Sequence, residues 1–335
     1  MDQPPLTTAK TFVRDLADGQ DVDCFFVVRS RARREKRDGT PFLKLDLADA
    51  SGSVEAVMWD GCDEVSAAIE PGTVVRAAGR YAVDERWGGT LTLQALRGAL
   101  ESEYDLDQLV EAPPLPYNQM LGDLRELIGT IQRQHLRRLL GRLLDPAREP
   151  GATWHVAPAA KKYHQAYRHG LLEHSLSVAQ GVSALAASPF FPGIDRDVAV
   201  TGAVLHDIGK VEAYASLNGA IDMTDDGRLL GEIPLGYYTV RRAIEDIEGF
   251  PARDAKALLH IILSHHGRLE HGSPVVPCTR EATLVHFMDN LGGNLGSFDR
   301  IEKSLADGAN WSGFDRGIST SAYFAPREDE AREAA

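Results

Sequence analysis

The sequence predicts a multi-domain β-plus-α protein, a small N-terminal β-barrel followed by an all-α domain. Three observations carry that prediction. Five short strand-like segments fill the first hundred residues, prolines cluster at Glu111–Tyr117, and apolar residues then recur mainly at helical spacing. At 335 residues the chain also exceeds what a single hydrophobic core usually serves.

Taken in order, Val22–Val28, Phe42–Leu47, Ser53–Trp59, Val74–Tyr81 and Thr90–Leu96 read as strands. Turn pairs separate them: Asp38-Gly39, Ser51-Gly52, Pro71-Gly72 and Gly88-Gly89. Five such strands over residues 1–110 make a small barrel, and their order resembles an OB-fold. The segment FLKLDLADASGSVEAVMWD resembles strands two and three of nucleic-acid-binding OB domains, whose face and flanking loops hold single strands through basic side chains and aromatic platforms. Arg29, Arg31, Arg33, Arg34, Lys36 and Arg37 cluster between the first two strands, with Phe42 and Trp59 beside them. Arg31, Arg33, Arg34, Lys36, Phe42 and Trp59 are therefore candidate substrate contacts. The alternative is a solvated hairpin whose charges keep an exposed edge from pairing. Trp87 reads equally as a further stacking platform or as a hairpin-tip aromatic.

Residues 111–118 form a proline-rich spacer that stops helix and sheet alike. Beyond it, residues 119–325 read as a helical domain and residues 326–335 as a disordered charged tail. Leu121, Leu124, Leu127, Ile128, Ile131, Leu139, Leu140 and Leu143 indicate an amphipathic helix. The run DVAVTGAVL, Asp197–Leu205, is apolar enough to be buried and delivers His206 and Asp207 to an interior cavity; Gly209 then permits a tight exit. Leu171, Leu172, Leu176 and Val178 give His174 an inward-facing helical setting.

The bulk charge limits the partners. With 36 basic and 49 acidic residues the net charge is −13, so the chain does not coat nucleic acid by overall attraction, and any polyanion meets a local patch. Cys24, Cys62 and Cys278 are scattered and odd in number, suggesting neither a disulfide framework nor a CxxC metal site. The N-terminal residues lack a signal-peptide core, and no apolar run reaches the roughly 20 residues of a membrane span. A cytoplasmic location with no membrane partner is the expectation.

The chemistry lies in a spaced set: His174, His206-Asp207, His265-His266 and Asp289. Neutral imidazoles and carboxylates suit hard-to-borderline divalent ions, manganese, magnesium, cobalt, iron or zinc, where thiolates select soft metals. Any one of these histidines alone is more often a satisfied core residue. The whole set is hard to arrange by packing needs alone, and it resembles the ligand shell of HD-domain metallohydrolases.

A more specific resemblance follows from PAAKKYHQAYRHGLLEH, the HDIGK run, and the segment in which SHHG is followed by E-x-GSP and EA-x-x-x-H-x-x-D. With the N-terminal OB domain, these motifs resemble the YhaM family of 3′-to-5′ exoribonucleases across almost the whole chain. The resemblance implies a manganese-dependent phosphodiesterase that releases nucleoside 5′-monophosphates from single-stranded RNA, with single-stranded DNA as a further substrate, and a homo-oligomer. Residue by residue, it implies His174, His206, Asp207 and Asp289 as ligands of one metal and His265 and His266 as ligands of a second. In the mechanism this shell suggests, Asp207 and a water would bridge two ions, and that water would attack in line. Lys210 lies near a phosphate oxygen, and Lys161, Lys162 and His164 line the cleft. The chain departs from the family at Glu232, where a histidine ligand is expected; glutamate is itself a competent oxygen ligand. Asp222, Asp225 and Asp226 do not match a calcium loop and read as a hairpin turn. Two other readings stay open at this point: an HD phosphohydrolase acting on a small nucleotide, and a non-catalytic single-strand-binding protein.

Overall fold

Alternation of apolar and polar residues decides the first part of the chain. In the computed structural model, which describes residues 10–61, 69–84, 88–161, 165–217, 220–303, 305 and 308–326, five strands close a barrel. They are β1 (Asp21–Glu35), β2 (Pro41–Asp49), β3 (Gly52–Met58), β4 (Val74–Asp84) and β5 (Gly88–Gly98), in the order β1-β2-β3-β5-β4. The β3–β5 pair is parallel and the other pairs are antiparallel. This is an OB-fold. Every second residue points inward: Val22, Cys24 and Phe26 from β1, Leu43, Leu45 and Leu47 from β2, Leu91 and Leu93 from β5. Each such leucine or phenylalanine stabilises the barrel by about 1.5–3 kcal/mol relative to exposure.

The basic run is placed differently from its expected position between strands. Strand β1 continues through Glu35, pairing Arg31 with Leu45, Arg33 with Leu43 and Arg34 with Phe42 after a register shift between Val28 and Ser30. Pairing uses backbone groups, so it persists after the apolar alternation that marks a strand in the sequence has ended.

The chain divides into two compact units, Met1–Ala112 with Ser216–Ala220, and Pro113–Ala215 with Ile221–Ala335. The second is built from α1 (Tyr117–Gly129), α2 (Gln134–Leu143), α3 (Gly151–Trp154), α4 (Gly170–Ala186), α5 (Arg196–Leu205), α6 (Lys210–Ala213), α7 (Asp225–Leu229), α8 (Glu232–Glu245), α9 (Ala252–Ser264) and α10 (Arg280–Lys303). Strands β6 (Tyr214–Leu217) and β7 (Ala220–Met223) form one two-stranded sheet, and β8 (Trp311–Asp315) and β9 (Thr320–Tyr323) another. Short ladders of this kind leave little trace in apolar spacing.

The single amphipathic helix expected between Leu121 and Leu143 is two helices. The break at residues 130–133 is held by Asp197, whose carboxylate accepts the Gln132 and Arg133 backbone N–H groups at 3.0 Å each. These amides lead into α2 and have no intrahelical acceptor, so a carboxylate there replaces the missing turn. Asp222 belongs to β7 and Asp225 and Asp226 to the first turn of α7, which Thr224 caps by accepting the Gly227 N–H at 2.9 Å. The acids thus straddle a strand end and a helix start.

Helix α5 is the axis of this unit. Every residue from Val198 to Leu205 is buried, as a helix apolar on all faces requires. It packs against α4, α9 and α10, and its N-terminus is closed by Asp195, which accepts the Val198 N–H at 3.3 Å. Helix α9 is tied at its start by buried Asp254, bound by Arg133 at 3.0 Å and His135 at 2.8 Å. With α5 enclosed and α9 anchored, their C-terminal ends are fixed in space, and both ends carry site residues.

Candidate metal centre

Five helices bring the predicted set together. His174 stands in the second turn of α4, His206 and Asp207 follow α5, His265 and His266 follow α9, Asp289 lies midway along α10, and Glu232 opens α8. His174 and His206 approach through their Nε2 atoms at 3.2 Å. Asp207 Oδ2 lies 3.3 Å from both of those nitrogens, and Asp289 Oδ1 lies 3.1 Å from His174 and 3.7 Å from His206. The other oxygen of Asp207, Oδ1, faces His265 Nε2 at 3.4 Å. His266 Nε2 meets Glu232 Oε1 at 3.3 Å.

The tautomers follow from the acceptors. His206 Nδ1 faces the Ala203 carbonyl at 2.6 Å, His265 Nδ1 the Ile262 carbonyl at 2.8 Å, His266 Nδ1 the His271 carbonyl at 2.9 Å, and His174 Nδ1 the Gln165 Oε1 at 3.1 Å. A carbonyl oxygen can only accept, so each Nδ1 carries the hydrogen and each Nε2 presents its lone pair inward when the ring is neutral. Asp207 Oδ1 and His265 Nε2 are moreover buried without a hydrogen-bond partner. Stranding two such atoms costs about 1–3 kcal/mol each. A cation removes that penalty. Two candidate ligand groups result, His174–His206–Asp207 and Asp207–His265–His266, with Asp207 common to both. The donors fit a divalent metal ion.

The electrostatics point the same way. Burial disfavours charge on His206, but Asp207 and Asp289 outweigh it and raise its pKa to about 10. Burial would also raise Asp207 and Asp289; Lys210 and His206 hold Asp207 well below the usual carboxylate range, and His174 and His206 do the same for Asp289. Around Glu232, burial is again overcome: Lys210 and His266 lower the carboxylate, and Glu232 with Asp207 raises His266. His265, by contrast, is lowered by its burial. Protons and the Lys210 ammonium thus balance the carboxylates, and an arriving cation displaces the imidazole protons, so its binding strengthens as pH rises.

Of the other predicted residues, Lys210 is buried with its Nζ 2.7 Å from Asp207 Oδ2, an ion pair that keeps the carboxylate ionised and oriented. Lys161 is paired with Asp222 at 2.6 Å and does not join the histidines. Lys162, His164, Trp87 and tail residues 327–335 lie outside the described residues. In the barrel, the Phe42 and Trp59 rings pair at 4.9 Å between centroids, Lys36 sits 5.5 Å over the Trp59 ring, and Trp59 is 42% exposed. Arg34 stands directly opposite Phe42 on β1, and Arg33 beside it is also exposed. Arg31 is engaged by Glu70 at 2.9 Å. Two contributors had no sequence signal: Gln165, an ordinary loop glutamine, and Tyr214, whose hydroxyl is pushed up to about 12 by burial and the nearby Glu232 charge. Among the described residues, no helix is long and apolar enough to cross a membrane.

The family model described as HD domain matches residues 171–293. The chain is 31% identical over 293 residues to a 3′-5′ exoribonuclease YhaM of Bacillus licheniformis, covering 87% of this chain and 90% of that protein. Against the YhaM of Bacillus subtilis the identity is 32% over 294 residues, with the same coverage of both chains. Among solved structures, the second OB-fold domain of replication protein A from Methanococcus maripaludis aligns over 28% of this chain and 99% of its own, at 16% identity and a TM-score of 0.23. A small single-stranded DNA-binding protein from Streptomyces coelicolor aligns over 25% of this chain and 97% of its own, at 18% identity and a TM-score of 0.22.

Proposed function

The chain belongs to the YhaM family of 3′-to-5′ exoribonucleases, and from that premise we propose that it degrades single-stranded RNA to nucleoside 5′-monophosphates at the HD centre, with two divalent ions, manganese first among them. The observation that carries this reading is Asp207: its two oxygens face two separate ligand groups, and Oδ1 is buried 3.4 Å from His265 Nε2 without a hydrogen bond.

His174, His206, Asp207 and Asp289 hold one ion, and Asp207, Glu232, His265 and His266 the other. When bound there, divalent ions would supply Lewis acidity for attack by water on the terminal phosphodiester. The protein's own groups prepare the site. The four Nδ1 hydrogen bonds lock the imidazoles so that no rotation is needed on binding, and Lys210 keeps Asp207 charged and aimed. Glu232, at the position where the resemblance implies a histidine, gives the second group an additional carboxylate, which favours harder ions. Exposed Trp59, with Phe42, Arg34 and Lys36, offers a stacking platform beside positive charge, the combination that binds single strands without reading sequence. We place RNA, or DNA of the same single-stranded form, on that face. A homo-oligomer in the cytoplasm completes the proposal.

A time course on 5′-labelled single-stranded RNA and DNA tests it, with manganese or EDTA, resolved at single-nucleotide steps. A manganese-dependent ladder receding from the 3′ end, with monophosphate products, is the expected result. Intact oligonucleotides alongside hydrolysis of free nucleotides would transfer the assignment to a small-nucleotide phosphohydrolase.

Replacing Trp59 with alanine removes one stacking surface, worth about 1–3 kcal/mol per base. The Michaelis constant for a single-stranded oligonucleotide should therefore rise about tenfold or more while the maximal rate changes little. An unchanged Michaelis constant would remove Trp59 from the substrate path.

A further inference from the structure

The four imidazoles do not obtain their Nδ1 acceptors in the same way. His206 and His265 use carbonyls three residues back, and His266 uses the carbonyl of His271, all supplied by the local chain. His174 alone is met by a side chain, Gln165 Oε1 at 3.1 Å, reaching in from the loop ahead of α4. A backbone acceptor comes with the helix; a side-chain acceptor has to be aimed.

The loop shows how that aim is achieved. Gln165 has φ 53° and His169 has φ 68°, two of the three non-glycine residues with positive φ among the described residues. Left-handed backbone at such residues costs about 1–3 kcal/mol each and persists only where the surroundings enforce it. Here they do. The Gln165 carbonyl accepts the Ala159 N–H at 3.1 Å. His169 Nδ1 donates to the His155 carbonyl at 2.5 Å, and the Tyr117 ring packs on the His169 ring at 4.7 Å. Gly170 is needed for space: a Cβ there would lie 2.0 Å from the Gln165 oxygen. The loop is thus folded hard against the start of α4, one helical turn from His174, and the side chain that emerges from its strained residue is the one that holds the histidine.

We propose that Gln165 is a positioning residue for metal capture, fixing His174 with its Nδ1 protonated and its Nε2 lone pair turned toward Asp207 and Asp289. The inference rests on the metal-centre reading above and assigns the purpose of the strained loop. An amide oxygen accepts a weaker bond than a carboxylate, so this ligand is held in orientation without the added basicity that a carboxylate partner confers.

Binding of Mn²⁺ to the purified full chain, followed by the electron paramagnetic resonance of the free ion, tests the proposal without reference to activity. Gln165→Met keeps the length of the side chain and removes the acceptor; its affinity should fall about 10- to 100-fold. Gln165→Glu restores the acceptor as a carboxylate and should return the affinity to the wild-type level or above it. Gln165→Gly relieves the positive φ but also lacks the acceptor, so its thermal stability should be kept while its affinity falls with that of the methionine variant. A folded methionine variant that binds Mn²⁺ within about twofold of wild type, well short of that loss, would overturn the proposal alone. A glutamate variant no better than methionine would do so too. Wild-type protein that binds no Mn²⁺ would overturn it together with the metal-centre reading.

Discussion

Asparagine at position 207 is expected to abolish hydrolysis and metal binding together while leaving the barrel and helices folded. The substitution keeps the shape of the side chain and removes the charge that both ligand groups share. Lewis-acid stabilisation amounts to several kcal/mol of transition-state energy, so at about 1.4 kcal/mol per decade the rate should fall by about 10³-fold or more. A stability cost accompanies it. Lys210 is buried and its ammonium pairs with Asp207 at 2.7 Å, and stranding one member of such a pair costs about 3–5 kcal/mol. Asp207→Asn combined with Lys210→Met should recover much of the lost melting temperature without recovering turnover. That divergence separates the chemical role of the carboxylate from its structural one. Retention of a tenth of wild-type activity by the single variant, measured on the labelled-RNA ladder, would remove Asp207 from the centre of the mechanism.

The features legible in the sequence were those whose residue types are dictated by chemistry or by a repeating period. His174, His206, Asp207, His265, His266 and Asp289 stood out because few other side chains hold a hard cation, and the structure gathers all six with Glu232. The barrel strands were legible because Leu43, Leu45 and Leu47 must alternate with outward residues to fill a closed interior. What escaped depended on backbone or on contacts across loops. The arginine run extends β1 because its amides find partners on β2, and no side-chain pattern reports that. Lys210 was expected near a phosphate oxygen by family resemblance, and its pairing with Asp207 at 2.7 Å is what the spacing alone did not report. Gln165 was silent because its meaning lies in where a strained loop points it.

Gly209 shows the same limit from the other side, and it yields the second large effect. In the sequence it reads as a residue chosen for a tight exit after His206-Asp207. Its observed φ is −66°, a value any residue adopts. The demand is for space instead: a Cβ at this position would lie 1.9 Å from the Glu232 carbonyl oxygen and 2.5 Å from the Gly236 nitrogen. Both are backbone atoms of α8, so no side chain can swing aside. Gly209→Ala must push α8 outward and carry Glu232, the first residue of that helix, away from His266. Overpacking of this kind costs up to about 3 kcal/mol, which should lower the melting temperature by about 10 °C for a unit of this size. Displacing a ligand-bearing helix by about 1 Å should also cost about 10²-fold in turnover. The control is Gly292→Ala in the interior of α10, where an added Cβ meets nothing within 4 Å; there the exchange should stabilise by up to about 1 kcal/mol through helix propensity. A Gly209→Ala protein that melts and turns over like wild type would mean that α8 yields freely at this crossing, and that Glu232 holds no fixed place in the centre.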